Sequence, residues 1–508
     1  MIISRRHFYL SMKLDAIVKT LRPLETLCLH DNNITGLTYD SRMVEPGYAF
    51  IAVRGEHSDG HEFVADAVIK GATAIVCEDD VMVPRHVATL KVADSRVALA
   101  QLACSFHGSP SSYLKMVGVT GTNGKTTVAH LVRHFLQYFE AEPGLIGTVG
   151  YRIGERNIPA TRTTPEAPEL QAMLERMVEA ELQHAIMEVS SHALVQERVY
   201  GIDFDIGIFT NLTQDHLDYH GTLDNYFNAK AKLFTTLGTG DKEDTVAVLN
   251  SDDEHGRILA DKALPSAILT YGTRLLPDGT RPDVFAENIE LSRIGSAFHI
   301  TTPWGEGEVQ LPLLGRFNVS NALAALAAAG SAGVPFDEIV ERLRTIPEVP
   351  GRLERIPSER GLVFVDYAHT DDALRNVLQT LRDVAADRRI TVVFGCGGNR
   401  DTTKRAPMGQ VAARLADYAI ITNDNPRRED PAIIAAEVAR GFKGAEHFEI
   451  VLDRGDAIAA AIDQLGDNEI LLIAGKGHET YQEFSDTIVP FDDRRVARNL
   501  LEQREQRR

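Results

Sequence analysis

Between Val117 and Thr127 the chain reads V-G-V-T-G-T-N-G-K-T-T, an apolar run that turns through glycines into Lys-Thr-Thr. The run 114–119 has the character of a buried strand. Apolar residues at Val128, Leu131, Val132, Phe135, Leu136 and Phe139 then recur at the interval of one helix face. A strand, a glycine-rich turn and a helix aim backbone N–H groups and a helix N-terminus at an anion. Gly121, Thr122, Asn123, Gly124, Lys125, Thr126 and Thr127 are therefore the expected cradle for a nucleotide's phosphates. Lys125 adds a point charge for the outer phosphates, and the Thr126 hydroxyl suits Mg2+. The common phosphate loop has a glycine five residues before Gly124; here Val119 holds that place.

Other residue types at strand ends add to this chemistry. Glu188 closes the apolar part of the run 184–190, and a carboxylate at the C-terminal end of such a strand is well placed to hold Mg2+ directly or through water. His216 follows the run 205–211 and stands among carboxylates in D-H-L-D-Y-H-G, a candidate second metal ligand. Lys230, in Y-F-N-A-K, reads by itself as a solvent-facing helix lysine. In the last third of the chain four charged loops follow strand-like runs: 366–370, 398–401, 423–427 and 475–479. Ligands of open parallel sheets collect at strand carboxyl ends.

These residues need a large scaffold. A chain of 508 residues predicts about three domains. We expect an α/β protein: a small α/β unit over 1–95, a central P-loop ATP-binding unit with a mainly parallel sheet over 96–348, and a Rossmann-like unit over 349–508. Short alternating pieces over 284–313 predict an antiparallel sheet beside the main one, and the Ala-rich run 322–334 a buried helix. A hydrophobic content of 44% with 25% charged residues is that of a soluble globular chain. A formal charge of −19 and the lack of a basic stripe exclude nucleic acid as a partner. Four scattered cysteines without a C-x-x-C pair fit reduced thiols and a cytoplasmic location. The apolar run within 1–13 is too short for a signal peptide, and no run is long enough for a membrane span.

The motifs occur in an order that resembles the Mur ligase family over nearly the whole chain: G-T-N-G-K-T-T, T-T-P at 163–165, M-E-V-S-S-H-x-L-V-Q-x-R at 187–198, D-H-L-D-Y-H-G at 215–221 and Y-x-x-A-K at 226–230. The resemblance implies an ATP-dependent amide ligase, with Lys125, Glu188, His216 and Lys230 catalytic. Thr126, Glu188, His216 and Lys230 would hold Mg2+, with Lys230 carbamylated by CO2, since an ammonium would repel the metal and a carbamate offers oxygen donors. It also implies that Asn318, in G-x-F-N-x-x-N, lies near adenine. Thr163, Thr164, Ser190, Gln196 and Arg198 would bind the sugar-peptide substrate, and Ser41, in a D-S-R motif, its UDP portion.

D-N-P-R at 424–427 matches the branch of the family that adds meso-diaminopimelate to UDP-N-acetylmuramoyl-L-alanyl-D-glutamate in peptidoglycan synthesis. On that resemblance Arg400, Asp424, Asn425, Arg427, Gly475 and Glu479 bind the amino acid. A guanidinium suits the carboxylate that distinguishes diaminopimelate from lysine. T-D-D at 370–372 departs from the family's T-P-D and is expected to alter loop stiffness more than chemistry. The expected partners are small molecules only, and the expected state is a monomer. A lysine-adding Mur ligase and folylpolyglutamate synthetase are the alternatives. A GTPase would carry N-K-x-D, which this sequence lacks.

Overall fold

A computed structural model describes residues 11–506 apart from 56, 57, 263 and 386. Most of the charged start 1–13, with its short apolar run, therefore lies outside the described residues. Three open sheets follow one another along the chain. The first orders Glu25–Leu27, Ala88–Lys91, Ala74–Cys77, Tyr48–Ile51 and Gly36–Thr38 side by side, all parallel except the edge strand Glu25–Leu27.

The second sheet has eleven strands. Its middle is parallel, and its register brings three strands level at their carboxyl ends: Lys115–Thr120 lies between His184–Glu188 and Ile206–Phe209, with Val119 opposite Glu188 and Thr120 opposite Phe209. Val117, Val119, Ile186 and Ile208 are buried, as the two covered faces of a parallel sheet require. The strand Lys115–Thr120 has neighbours on both sides that come later in the chain, so the loops leaving it and its neighbours open onto one crevice, the usual ligand position in such sheets. Val284–Ser292, Gly295–Thr302 and Gly305–Leu311 form an antiparallel meander, but not a separate sheet. Val284–Ser292 pairs in parallel with Ala267–Gly272 through Tyr271 and Gly272, which makes the meander one edge of the eleven-stranded sheet. Backbone pairing between Ala267–Gly272 and Val284 is not visible in side-chain alternation.

Helix Lys125–Leu136 packs Val128, Leu131, Val132 and Phe135 into the same core as helix Arg316–Ser331, whose alanines are buried on every side. Alanine lets that helix lie close to its neighbours, and no helix among the described residues is long and apolar enough to cross a membrane.

The third sheet orders Glu354–Ile356, Leu362–Asp366, Glu469–Ala474, Arg389–Phe394, Tyr418–Ile421 and Phe448–Ile450, parallel but for the first. Phe448–Ile450 is three residues long and half exposed, too weak a pattern to read from sequence. At T-D-D, Thr370 caps helix Asp371–Val384 by accepting the Ala373 N–H, and Asp371 takes the first helical position, where proline is also favoured. An acidic residue there complements the helix dipole.

Arg454 anchors the carboxyl edge of this sheet. Its guanidinium is fully buried and makes two 2.7 Å bonds to the equally buried Asp493, and further bonds to the carbonyls of Asn423 and Ala474. Breaking a buried pair by removing one partner costs about 3–5 kcal/mol. We therefore expect Arg454→Met to lower the unfolding free energy of this part of the chain by an amount of that order, measured by chemical unfolding; a loss below about 1 kcal/mol would show that the pair contributes only shape.

Candidate active site

At Gly124 the chain turns with φ +87°, and a Cβ there would lie 2.4 Å from the Asn321 side-chain oxygen. The turn delivers the chain into helix Lys125–Leu136, whose first-turn N–H groups have no intrahelical acceptors. The loop is braced from the neighbouring strand: Asn211 accepts from Thr122 N–H through its carbonyl (2.9 Å) and from Asn123 N–H through its side chain (2.9 Å). Lys125 Nζ donates to the carbonyls of Gly121 and Thr122, at 2.9 and 2.8 Å. Burial lowers this ammonium from its usual range, against the pull of Glu188 and Asp215.

Beside the loop the Thr126 hydroxyl donates to Glu188 Oε2 (2.9 Å). Glu188 also accepts from Thr148, through its N–H (2.8 Å) and its hydroxyl (3.0 Å). His216 stacks edge-on against His192 and sits by Asp215; desolvation pushes its imidazole down to about 4, so it is neutral at pH 7 with a lone pair to give. Lys230 reaches up from helix Leu223–Thr236 beneath the loop. It is 1% exposed and donates 2.7 Å to the Gly121 carbonyl, with its ammonium 4.4 Å from the Tyr226 ring centre. Burial first, and Lys125 second, lower its pKa well below the usual lysine value. The Thr126 hydroxyl and the Glu188 carboxylate offer adjoining oxygen donors that fit a hard divalent cation, His216 lines the same cleft, and a neutral amine is the form of lysine that reacts with CO2.

A second network joins Glu188 to the residues proposed for the sugar-peptide. Thr164 donates to the Glu188 carbonyl (2.7 Å) and accepts from Ser190 N–H (3.1 Å). Thr163 meets Thr148 at 3.0 Å, and Ser190 caps a short helix by accepting the Ala193 N–H. Arg198 donates to the Thr164 carbonyl and to Gln196, and pairs with Glu166 at 3.0 Å.

Across the cleft lie the loops of the third sheet. Arg427 is held with φ +52° by Glu483 (2.8 Å) and the Gly398 carbonyl (2.8 Å). At Gly475, φ is +113° and a Cβ would meet Asp424 at 2.8 Å, so only glycine lets this loop close on that carboxylate. Asn425 donates to Glu479 at 3.0 Å. The phosphate loop, Glu188, His216, Thr163, Thr164, Ser190, Arg198, Arg400, Asp424, Asn425, Arg427, Gly475 and Glu479 thus line one cleft of about 1290 Å3. It has a phosphate cradle on one wall and a paired-charge pocket on the other, the layout of an enzyme that joins two substrates at the expense of a nucleotide.

Known families and proteins resemble the chain in the same three parts. Residues 33–107 match the model described as "Mur ligase family, catalytic domain", 119–329 the "Mur ligase middle domain" and 351–477 the "Mur ligase, glutamate ligase domain". A protein of Geobacillus thermodenitrificans named UDP-N-acetylmuramoyl-L-alanyl-D-glutamate--2,6-diaminopimelate ligase is 46% identical over 477 residues, which span 93% of this chain and 96% of the relative. The chain belongs to the Mur ligase family. A protein of the same name from Alkaliphilus metalliredigens is 41% identical over 97% of this chain and 98% of its own. A solved structure titled with that enzyme name superposes with a TM-score of 0.68 at 33% identity, covering 97% of this chain and 99% of the other.

Some candidate residues of this Mur ligase lie off the cleft lining. Gly121 is at the base of the loop with Lys230 beneath it, and Gln196 stands behind Arg198 with its amide on Tyr219. Asn318 is buried and donates to the Leu314 carbonyl, while its neighbour Asn321 faces the cleft. Ser41 lies in the first unit, where its carbonyl accepts from Lys70. Sequence reasoning missed Arg352, which crosses from the third unit to donate 2.9 Å to the Thr126 hydroxyl, and Asp372, which accepts 3.0 Å from Asn123. An arginine in the P-G-R turn ahead of the third sheet was the available signal. Asp59, His61 and Asp79 cluster in the first unit, but both His61 ring nitrogens are engaged, one with Asp59 and one with the N–H groups of Glu78 and Asp79, so the group is a structural knot.

Gly124→Ala should weaken nucleotide binding about tenfold or more, since a Cβ at this φ carries roughly 1–3 kcal/mol of strain and displaces Asn321. Titration calorimetry with ATP checks this; unchanged affinity would remove the loop from the nucleotide site.

Proposed function

We propose that this Mur ligase uses ATP to join meso-diaminopimelate to the D-glutamate γ-carboxylate of UDP-N-acetylmuramoyl-L-alanyl-D-glutamate, a step of peptidoglycan precursor synthesis in the cytoplasm. The observation that carries the reading is Arg427, in D-N-P-R, facing the phosphate loop's own cleft. The names of the 46% and 41% identical relatives support it. In this reading units 1–95, 96–348 and 349–508 bind the UDP portion, ATP and the amino acid, and the protein works as a monomer on small molecules alone.

The γ-carboxylate attacks the γ-phosphorus of ATP, the bond to ADP breaks, and an acyl phosphate forms. The amine of diaminopimelate then attacks the acyl carbon and inorganic phosphate leaves. Lys125 and the helix N-terminus hold the phosphates in line and stabilise negative charge as it shifts toward the leaving oxygen. Thr126, Glu188, His216 and a carbamate on Lys230 would hold Mg2+, which supplies charge neutralisation on the transferring group. Asn321, with Asn318 behind it, flanks the loop where the nucleoside would lie. Thr163, Thr164, Ser190 and Arg198, braced by Gln196, orient the acceptor carboxylate beside Glu188, and Ser41 contacts the distant UDP end. Asp424, Asn425, Arg400, Gly475 and Glu479 bind the amino acid's polar groups, and Arg427 its second carboxylate. A substrate without that group would leave unmatched the guanidinium N–H groups not already held by Glu483 and the Gly398 carbonyl, a penalty of ~1–3 kcal/mol.

Phosphate release from ATP tests this, comparing meso-diaminopimelate with L-lysine in the presence of the UDP-dipeptide. We expect release with diaminopimelate and at most about a tenth of that rate with lysine. Equal rates would point to a lysine-tolerant Mur ligase, and no release with either to folylpolyglutamate chemistry. In the same assay Lys230→Met should abolish turnover, and removing bicarbonate from wild type should depress it reversibly; full activity without bicarbonate would refute the carbamate.

A further inference from the structure

Behind the amino-acid wall of the cleft is a charged residue to which neither the motifs nor the reaction above give a role. Lys476 is 0% exposed, so its ammonium is wholly removed from water. It donates to Glu479 Oε2 at 2.9 Å and to Asn425 Oδ1 at 3.0 Å, and lies 5.6 Å from the Tyr481 ring centre. Asn425 Oδ1 also accepts the Glu483 N–H (3.0 Å), and its amide nitrogen donates to the same Glu479 oxygen (3.0 Å). The amide therefore has one orientation, with its oxygen held inward by two donors. Glu479 has one oxygen engaged twice within the protein and the other touched by the Tyr367 hydroxyl at 3.4 Å.

The charges around this pocket are Arg400, Arg427, Arg454 and Lys476 against Asp424, Glu479, Glu483 and Asp493, with Arg454 held by Asp493 at 2.7 Å. Arg427 is already paired with Glu483, so the balance on the substrate side turns on Lys476 and Glu479. With Lys476 the set is neutral; without it one negative charge, on the partly buried Glu479, is in excess. An uncompensated charge in a desolvated site selects strongly for a ligand of opposite sign. The far end of meso-diaminopimelate carries an ammonium and a carboxylate and is neutral overall, whereas the far end of L-lysine is a bare ammonium.

We propose that Lys476 is a specificity-setting positioning residue: it keeps the amino-acid pocket neutral and fixes Asn425 and Glu479, so that the pocket accepts a zwitterionic end and rejects a lone cation. The inference rests on the function proposed above. Lys476 touches no substrate in this scheme; it acts through the two residues it holds.

The test is the ratio of kcat/KM for meso-diaminopimelate to that for L-lysine in Lys476→Met, a side chain of similar length without charge. We expect the ratio to fall at least about tenfold, the lower end of what an unpaired buried charge is worth, through a raised KM for diaminopimelate and a lowered KM for lysine, with the KM for ATP unchanged. A folded variant in which both amino acids lose equally, or neither changes, overturns the proposal, because a merely structural lysine would not separate them. If Lys476→Met does not fold, Glu479→Gln reads the same balance from the other side. It leaves the ammonium in excess, so competition by L-lysine should weaken at least about tenfold relative to diaminopimelate; an unchanged or reversed ratio overturns the proposal. Wild-type turnover with diaminopimelate is the control: its absence refutes the proposed function, whereas normal wild-type turnover with unaltered variants refutes the role of Lys476 alone.

Discussion

Two lysine side chains converge on one carbonyl. Lys125 and Lys230 both donate to Gly121, at 2.9 and 2.7 Å, and both have their charged forms disfavoured by burial. Burying two cations together is tolerable only if anions complete the site, and the protein provides few nearby: Asp215 and Glu188. The rest of the central unit follows from this constraint. Such a place attracts a polyanion, and burial disfavours the charged form of Lys230. The same low-dielectric surroundings that make the charges costly in isolation make their interactions with a phosphoryl group strong.

Holding that arrangement requires a rigid floor. The level register of Lys115–Thr120 with His184–Glu188 and Ile206–Phe209 sets the heights of the loop, of Glu188 and of Asn211 in one step, and backbone hydrogen bonds keep them there. The alanines of Arg316–Ser331 let the loop helix pack against a second helix without large side chains pushing it out of line. Placing Asn321 against Gly124 then needs no loop of its own: it lies on the second turn of a helix whose position the core has already fixed.

The legible part of the site was the part written in consecutive residues. The phosphate loop declares itself through the spacing of Gly121, Gly124, Lys125 and Thr126 next to a strand and a helical stripe, and Glu188 and His216 follow from their places after buried runs. Lys230 was not legible in this way. A lysine at that helical spacing reads as solvated, and only its burial under Gly121 gives it chemistry. Asp372 and Lys476 were opaque for the same reason, and Arg352 nearly so, its P-G-R turn being the one signal: each acts across a gap in sequence, through a partner in another loop or another sheet, and single residues carry no trace of such pairings. For the fold, the alternation in 284–313 showed strands but not that a two-residue parallel contact welds them to the main sheet.

The cross-unit contacts show how the two walls communicate. The Thr126 hydroxyl donates its one proton to Glu188 and accepts from Arg352, which leaves one lone pair of its oxygen uncommitted. The arginine, which also lies over Tyr367 at 4.7 Å, belongs to the wall that presents the amino-acid pocket. Asp372 makes a parallel connection to Asn123 in the loop itself. Both bonds end on residues of the phosphate cradle and not on neutral surface. Arg352 and Asp372 thus tie the third unit's loops directly to the phosphate loop across the cleft. Polar contacts of this kind separate readily, since parting them exposes to water groups that water solvates well, whereas an apolar interface would resist separation. That property suits a reaction whose three products, ADP, phosphate and the amide, must leave the cleft after each turnover.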